Sequence, residues 1–265
     1  MAVGTVNLPW AAVVAAVLMV VWPGSPQHRG TTMTTPDRPK VAMLLYPGLT
    51  LLDLVAPQAV FAPTMETHLV WKTTDPVLSD GGVEVHPTTA FADCPVDLDV
   101  LFVPGGMGQA PVAADEEVLE FLADRGARAR YVTSVCGGSL ILGAAGLLRG
   151  YRATTHWVGT DALALFGAEY TEGRVVVDRN RITGGGVTAG LDFGLVVLAE
   201  LLGEDTAKLT QLMLEYAPAP PFDAGTPQTA GPELTAMARA GNEQVNKAMT
   251  AVAEELAAKG WGRSA

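Results

Sequence analysis

From Lys40 onward, short apolar runs alternate with segments of helical periodicity, which is the pattern of an α/β protein with a parallel sheet. Strands are predicted where a continuous apolar run ends in a turn, because strands of a parallel sheet are buried on both faces. The predicted strands are 41–48, 68–74, 83–91 (in an antiparallel edge ribbon), 96–106 and 130–135, followed by a hairpin at 174–183. The predicted helices are 51–61, 116–129, 136–148, 188–203 and an amphipathic last helix at about 233–258.

This pattern divides the chain into three parts. No repeat and no linker interrupt residues 40–215, which are therefore predicted to form one α/β domain. Residues 216–265 hold a proline-rich loop and the last helix, which we expect to pack on the domain or on a dimer partner. Residues 1–39 are an apolar N-terminal extension.

The extension contains an uncharged apolar run, LPWAAVVAAVLMVVW at 8–22. It is shorter than the roughly 20 residues of a membrane helix, and no Lys or Arg precedes it as a signal peptide requires. Three interpretations stay open: a start assigned too far upstream, with translation from Met33, a membrane anchor or signal, or a soluble packed extension. If the run inserts into a membrane, Arg29, Arg38 and Lys40 on its C-terminal side favour a body left in the cytoplasm.

The amino-acid composition argues against several classes of protein. The chain has 265 residues, with 17 basic and 28 acidic side chains, a net charge of −11 and 49% hydrophobic residues. The hydrophobic content excludes a disordered tail protein, and the acidic balance argues against nucleic-acid binding. Two cysteines cannot build a disulfide framework or a zinc site of several thiolates, and the four histidines have no ligand spacing. We therefore expect neither a metal nor a cofactor.

The sharpest local feature is the turn TSVCGGS at 133–139, where a predicted buried strand passes directly into a predicted helix. A nucleophile on such a turn stands at the carboxyl edge of the sheet, where open α/β folds bind ligands. The dipole and free N–H groups of a helix start lower the pKa of a thiol placed there. We therefore predict that Cys136 is a nucleophile, rather than the buried small hydrophobe that free cysteine usually is.

Glycines and one acid near this turn are further candidates. The turn VPGGMG at 103–108 ends the preceding strand, and its N–H groups could face an anion beside Cys136, although an ordinary turn uses the same residues. Gly106 and Gly137 are accordingly predicted to bind an oxyanion or the substrate. Asp53 lies in a hydrophobic helix start, where a carboxylate is costly to bury unless it is paired or protonated, and where it could also be a capping acid.

Three other features are given structural interpretations. His156, between Thr and Trp, is predicted to be packed and hydrogen-bonded, with a role as base for the thiol as the alternative. Cys94 lies in a loop before a strand and is predicted to be structural. The glycine-rich turn at 184–190 lacks the lysine and Ser/Thr spacing of a phosphate-binding loop and is predicted to be an ordinary turn.

At this point the motifs resemble a known family. The elbow VTSVCGGSLILGAAGLL, the glycine pair at 105–106 and the acid after the first strand look like the ThiJ/PfpI superfamily, relatives of the class I glutamine amidotransferases. Within it the chain is most similar to the bacterial isocyanide hydratases, over about residues 40–230. The segments that fit this group are FADCP (91–95), ARARYVTSVC (127–136), GSLILGAAGLL (138–148), RATTHW (152–157), ITGGGVTAGLDF (182–193) and LEYAPAPPF (214–222).

The resemblance implies a flavodoxin-like or Rossmann-like domain with Cys136 as nucleophile and Asp53 as its acidic partner. The family's proteases carry histidine directly after the cysteine, so Gly137 argues against peptidase activity. Isocyanide hydratases usually carry threonine there, so Gly137 removes a hydroxyl from the site. The implied reaction converts an isocyanide into an N-substituted formamide through a thioimidate on Cys136. The apolar C-terminal end and the resemblance both favour a homodimer.

Two other functions compete with this one. The same fold supports thiol chemistry on carbonyls, of the glyoxalase or deglycase kind. A ligand-sensing or redox-sensing domain is the non-enzymatic alternative, and related sheets occur fused to helix-turn-helix regions. Only about 33 residues follow the proline-rich loop, which is too few for a DNA-binding domain, and the charge is unsuitable.

Overall fold

A mostly parallel sheet forms the middle layer of the molecule. The computed structural model describes residues 38–261. Its strands are β1 (Lys40–Leu44), β2 (Glu66–Trp71), β3 (Val77–Leu78), β4 (Glu84–Val85), β5 (Thr89–Ala90), β6 (Val100–Val103), β7 (Tyr131–Val135), β8 (Arg152–Ala153), β9 (Glu169–Tyr170), β10 (Val175–Asp178) and β11 (Arg181–Gly184). The main sheet has the order β10-β11-β7-β6-β1-β2-β5, and only the β10–β11 pair in it is antiparallel.

Helices cover this sheet. They are α1 (Leu51–Phe61), α2 (Gln109–Ala113), α3 (Glu116–Arg128), α4 (Gly138–Ala144), α5 (Thr160–Leu165), α6 (Ala189–Leu202), α7 (Glu204–Met213) and α8 (Pro227–Ala258). Helix α1 packs on α6, while α4 contacts both α3 and α8. The strands β1, β6 and β7 are almost entirely buried, which is why their sequences are continuous apolar runs. The predicted α/β class with a parallel sheet between helices is confirmed.

The predicted strand 83–91 is wrong as a single element. Residues Glu84–Val85 pair with β3 in a separate antiparallel ribbon, whereas Thr89–Ala90 joins the main sheet parallel to β2. Pro87 lies between the two pieces and has no N–H to donate to a ladder, so it ends one pairing before the other begins. The predicted antiparallel ribbon therefore exists, but it is separate from the main sheet. The edge strand of the main sheet is β5, which is parallel to β2.

The sequence pattern missed three helices, α2, α5 and α7. Helix α7 follows α6 directly after Gly203, whose φ of +89° breaks the longer helix. It buries only Ala207 and Thr210, so it lacks the bulky apolar stripe that helical periodicity detects. Helices α2 and α5 have five and six residues, too few for a periodic signal.

The C-terminal helix packs over the domain. It is interrupted at Gly231, where φ is +81°, so its regular part begins near the predicted residue 233. Its second half buries Met249, Val252 and Leu256, and the helix contacts α2, α4 and α5. The apolar run at 8–22 lies outside the described residues. Within 38–261, no helix combines the length and the apolar character needed to cross a bilayer.

The strand order decides where a ligand can bind. Strand β1 has two neighbours in the main sheet. Strand β2 lies on one side of it, and β6 lies on the other side. Chain connections leave the carboxyl ends of β1 and β6 in opposite directions, and such a switch point opens a crevice in doubly wound sheets. The segments that follow β1, β6 and β7 therefore meet at one edge.

Candidate active site

Cys136 stands on a strained turn at the end of β7. Its φ is +56°, a left-handed conformation that non-glycine residues rarely adopt. The backbone N–H of Cys136 donates to the carbonyls of Gly184 (3.1 Å) and Gly185 (2.7 Å), and its carbonyl accepts from Thr155 Oγ1 at 2.8 Å. Hydrogen bonds on both sides thus hold the strained residue, as in a nucleophile elbow. The glycine-rich turn at 184–190 supports this elbow through its carbonyls.

The backbone of the turn that follows β6 packs directly against this elbow. A Cβ on Gly105 would lie 2.4 Å from the Gly137 nitrogen and 2.9 Å from both Asp53 Oδ2 and Cys136 Cβ. A Cβ on Gly138 would lie 2.1 Å from the carbonyl oxygen of Val103. Only glycines leave room for these contacts, which place Asp53 and Cys136 together although 83 positions (136 − 53) separate them.

Asp53 is fully buried in the first turn of α1. The N–H of Gly105 donates to its Oδ2 at 2.9 Å, and its Oδ1 accepts from no nitrogen or oxygen donor within residues 38–261. Burial raises the pKa of this carboxyl to about 7, against the lowering effect of the Gly105 N–H and the Cys136 thiol, and the charge of Asp80 raises it further. Asp53 is therefore partly protonated near neutral pH.

The pKa of the Cys136 thiol is shifted in the direction opposite to the one predicted from the sequence. Burial first, and then the negative charge of Asp53, hold the pKa of Cys136 well above its ordinary value, while the Gly137 N–H opposes them. The predicted lowering of the thiol pKa by a helix start is wrong, because burial of the thiol, reinforced by the charge of Asp53, outweighs the Gly137 N–H. The two acids titrate as a pair, which carries one negative charge and one proton above about pH 7.

Gly106 and Gly137 both border the cavity beside Cys136. The N–H of Gly137 interacts favourably with the charged form of the Cys136 sulfur. Within the described part of the chain, the N–H of Gly106 donates to no carbonyl. The two predicted glycines are thus brought together beside the thiol, and their binding role stays a prediction.

The cavity has a volume of about 200 Å³. Its walls include residues from distant parts of the chain that sequence analysis missed, and helix α8 supplies three of them. The missed residues are Thr50, Met107, Gln109, Leu140, Thr155, Val158, Gly159, Val187, Asn242, Val245 and Asn246. Asn246 Nδ2 also donates to the Val158 carbonyl at 2.8 Å, which ties α8 to the rim. Helix α8 begins about 90 residues after the nucleophile. No local sequence motif indicates that a helix so far along the chain lines the cavity, so sequence patterns could not predict this role.

The remaining two candidates, His156 and Cys94, are packed side chains that form hydrogen bonds with the backbone. His156 borders the cavity, but burial lowers its pKa, its Nδ1 accepts from the Val158 N–H at 3.4 Å, and its ring packs on Trp157. This environment fits the packed, hydrogen-bonded interpretation, and its role stays a prediction. Cys94 is buried, its Sγ donates to the Pro95 carbonyl at 3.6 Å, and it does not border the cavity.

Comparison with known proteins identifies the family of this site and fold. A sequence model described as the DJ-1/PfpI family matches residues 39–200. The isonitrile hydratase of Pseudomonas putida is 52% identical over 222 residues, which cover 83% of this chain and 97% of that protein. A crystal structure of a ThiJ/PfpI family protein from Pseudomonas syringae matches with a TM-score of 0.80 and 51% identity, over 87% of this chain and 98% of that one.

A more distant solved structure shares the fold alone. Schizosaccharomyces pombe DJ-1 matches with a TM-score of 0.60 at 22% identity, over 68% of this chain and all of that one. The resemblance seen in the elbow, the glycine turn and the acid is therefore confirmed across the α/β domain. The chain belongs to the DJ-1/PfpI family.

Proposed function

We propose that this protein is an isocyanide hydratase, which adds water to the terminal carbon of an isocyanide and releases an N-substituted formamide. The observation that carries the proposal is the Cys136–Asp53 pair, which is buried beside the cavity and holds one proton above about pH 7. The 52% identity to an isonitrile hydratase, over nearly all of that protein's length, supports the same reaction.

The first step forms a carbon–sulfur bond. The sulfur of Cys136 attacks the isocyanide carbon while the thiol proton passes to the Asp53 carboxylate. Asp53 then delivers that proton to the same carbon, which leaves a thioimidate, R–N=CH–S–Cys136. The N–H groups of Gly106 and Gly137 stabilise negative charge as it develops beside the sulfur. Covalent catalysis of this kind divides one difficult hydration into two easier steps.

The second step releases the product. Water adds to the thioimidate carbon, one of its protons goes to the nitrogen, and Asp53 accepts the other. The carbon–sulfur bond breaks, the departing sulfur takes the proton from Asp53, and R–NH–CHO leaves. Thiol and carboxyl return to their starting states, so the cycle consumes only isocyanide and water.

Isotopes test this assignment. The purified protein is incubated with an aryl isocyanide in H₂¹⁸O and, separately, in D₂O, and the product is analysed by mass spectrometry. We expect a formamide with ¹⁸O in its carbonyl and deuterium on its formyl carbon. Absence of formamide above the protein-free background contradicts the proposal. Turnover of methylglyoxal instead points to carbonyl chemistry, and oxidation of Cys136 without any turnover points to a sensor.

We also propose that the protein is a cytoplasmic homodimer. Apolar side chains are exposed at the end of α7, in the proline-rich stretch and at the start of α8, including Leu212 at 74% and Phe222 at 80% exposure. Large exposed apolar side chains that cluster mark association surfaces. If the segment 8–22 inserts into a membrane, the basic residues after it support a body held in the cytoplasm.

Sedimentation equilibrium tests the dimer. We expect twice the mass of one chain for the native protein, and the mass of one chain after Phe222→Asp together with Leu212→Asp. Val96→Asp is the control, because Val96 is also an exposed apolar residue but lies before β6. A native protein with the mass of a single chain rules the homodimer out.

A further inference from the structure

The space directly above Gly137 is filled by a side chain from another element. Gly137 has a φ of −67°, which any residue adopts without strain. A Cβ at this position would lie 1.6 Å from Gln109 Oε1 and 2.8 Å from Gln109 Cδ. Gly138 differs, because a Cβ there would strike the backbone carbonyl of Val103. The missing side chain at residue 137 therefore makes room for the Gln109 carboxamide.

The side chain of Gln109 lies against the elbow that carries the nucleophile. Gln109 begins α2, its N–H donates to the Gly106 carbonyl at 3.1 Å, and its side chain borders the cavity together with Cys136. The residue is only 7% exposed. Its carboxamide forms no hydrogen bond with any residue in the range 38–261. The residue borders the cavity, so an amide without a partner there has donor and acceptor groups available for a ligand.

The other carboxamides that border the cavity form hydrogen bonds with backbone carbonyls. Asn246 Nδ2 donates to the Val158 carbonyl at 2.8 Å, and Asn242 Nδ2 donates to the Ala238 carbonyl at 2.9 Å. The Thr155 hydroxyl donates to the Cys136 carbonyl. Gln109 thus lies against the elbow, with Nε2 3.4 Å from the position of a Cβ on Gly137, and its NH₂ group donates to no described residue.

We propose that the Gln109 carboxamide donates a hydrogen bond to the substrate nitrogen as the isocyanide becomes a thioimidate on Cys136. This inference rests on the proposed function. In an isocyanide all electrons around nitrogen are in bonds, so the nitrogen cannot accept a hydrogen bond. When sulfur bonds to the carbon, the triple bond becomes a double bond and the nitrogen gains a lone pair. Gln109 therefore stabilises the reacting state and not the bound substrate, which raises kcat and leaves KM unchanged.

Gln109→Met tests the hydrogen bond, because methionine has a similar size and no N–H. We expect kcat for aryl isocyanide hydration to fall about 10²- to 10³-fold, with KM within about twofold of the wild type, as for loss of one donor to a reacting group. Alkylation of Cys136 by iodoacetamide should keep its wild-type rate, since that reaction forms no such nitrogen. Gln228→Met, at an exposed glutamine on α8, is the matched control.

A double-mutant cycle tests the packing of Gln109 on Gly137 and does not depend on one variant alone. Gly137→Ala should lower kcat by displacing the carboxamide, and it should add little to the loss already caused by Gln109→Ala. Wild-type kcat in Gln109→Met, a rise in KM without a fall in kcat, or additive losses in the cycle each overturn the role of Gln109. If the wild type itself forms no formamide, the proposed function and this inference both fail.

Discussion

Replacement of Cys136 by alanine is expected to abolish isocyanide hydration, with a loss of about 10⁴-fold or more in kcat. The thioimidate cannot form without the sulfur, and no second thiol borders the cavity within residues 38–261. The variant should fold, because the elbow is held by backbone hydrogen bonds to Gly184 and Gly185 that alanine keeps. Formamide production at saturating aryl isocyanide measures the effect.

Cys94→Ala is the control for this experiment. Cys94 is the other cysteine of the chain and is buried away from the cavity, so its removal should leave kcat close to the wild-type value. Activity of Cys136→Ala within tenfold of the wild type removes Cys136 from the nucleophile role. Equal losses in the two variants indicate damage to the fold instead.

Asp53→Asn is expected to change two rates in opposite directions. Hydration should fall about 10²- to 10³-fold, because the variant has no group to carry the proton between sulfur and carbon. Alkylation of Cys136 by iodoacetamide at pH 8 should become faster, because the negative charge of Asp53 raises the pKa of the thiol and the variant lacks it. Asparagine keeps an oxygen that accepts the Gly105 N–H. Unchanged hydration contradicts the proton-carrier role, whatever the alkylation rate.

The same variant should be more stable than the wild type above pH 7. The folded protein holds the pKa of Asp53 at about 7, above the ordinary value of 3.8, so between these values the native state binds more protons than the unfolded state. Wild-type stability therefore falls as pH rises from about 4 to 7. The advantage of Asp53→Asn should be small at pH 4 and on the order of 3–4 kcal/mol at pH 8. Urea unfolding at the two pH values measures it.

Asp93→Asn provides the comparison for stability, because Asp93 is an exposed carboxylate away from the cavity. Its free energy of unfolding should differ little from the wild type at either pH. An equal stability gain for Asp53→Asn at pH 4 and pH 8 would falsify the argument that burial of the Asp53 charge destabilises the wild type. A gain that comes from the packing of the uncharged amide would not depend on pH.

Local patterns in the chain were sufficient for the elements that flank the nucleophile. Helix 51–61 was predicted at its observed bounds, Leu51–Phe61, and the turn 133–139 was predicted as the strand-to-helix elbow that it is. Apolar runs and glycines report on the backbone of their own neighbourhood, because burial on two faces and tight turns impose them directly. Such patterns failed at 83–91, where one proline divides two pairings, and at α7, whose buried face is small.

The amino-acid sequence by itself thus determined the parallel sheet, the cysteine elbow and an acid at the start of the first helix. Only the tertiary structure decided that the Asp53 carboxyl and the Cys136 thiol share a buried environment, which raises both pKa values and reverses the direction predicted for the thiol. It also decided that Gln109 covers Gly137 and that α8 completes the cavity. The physical reason is that desolvation and close packing depend on groups far apart along the chain, and hydrophobic periodicity carries no information about them.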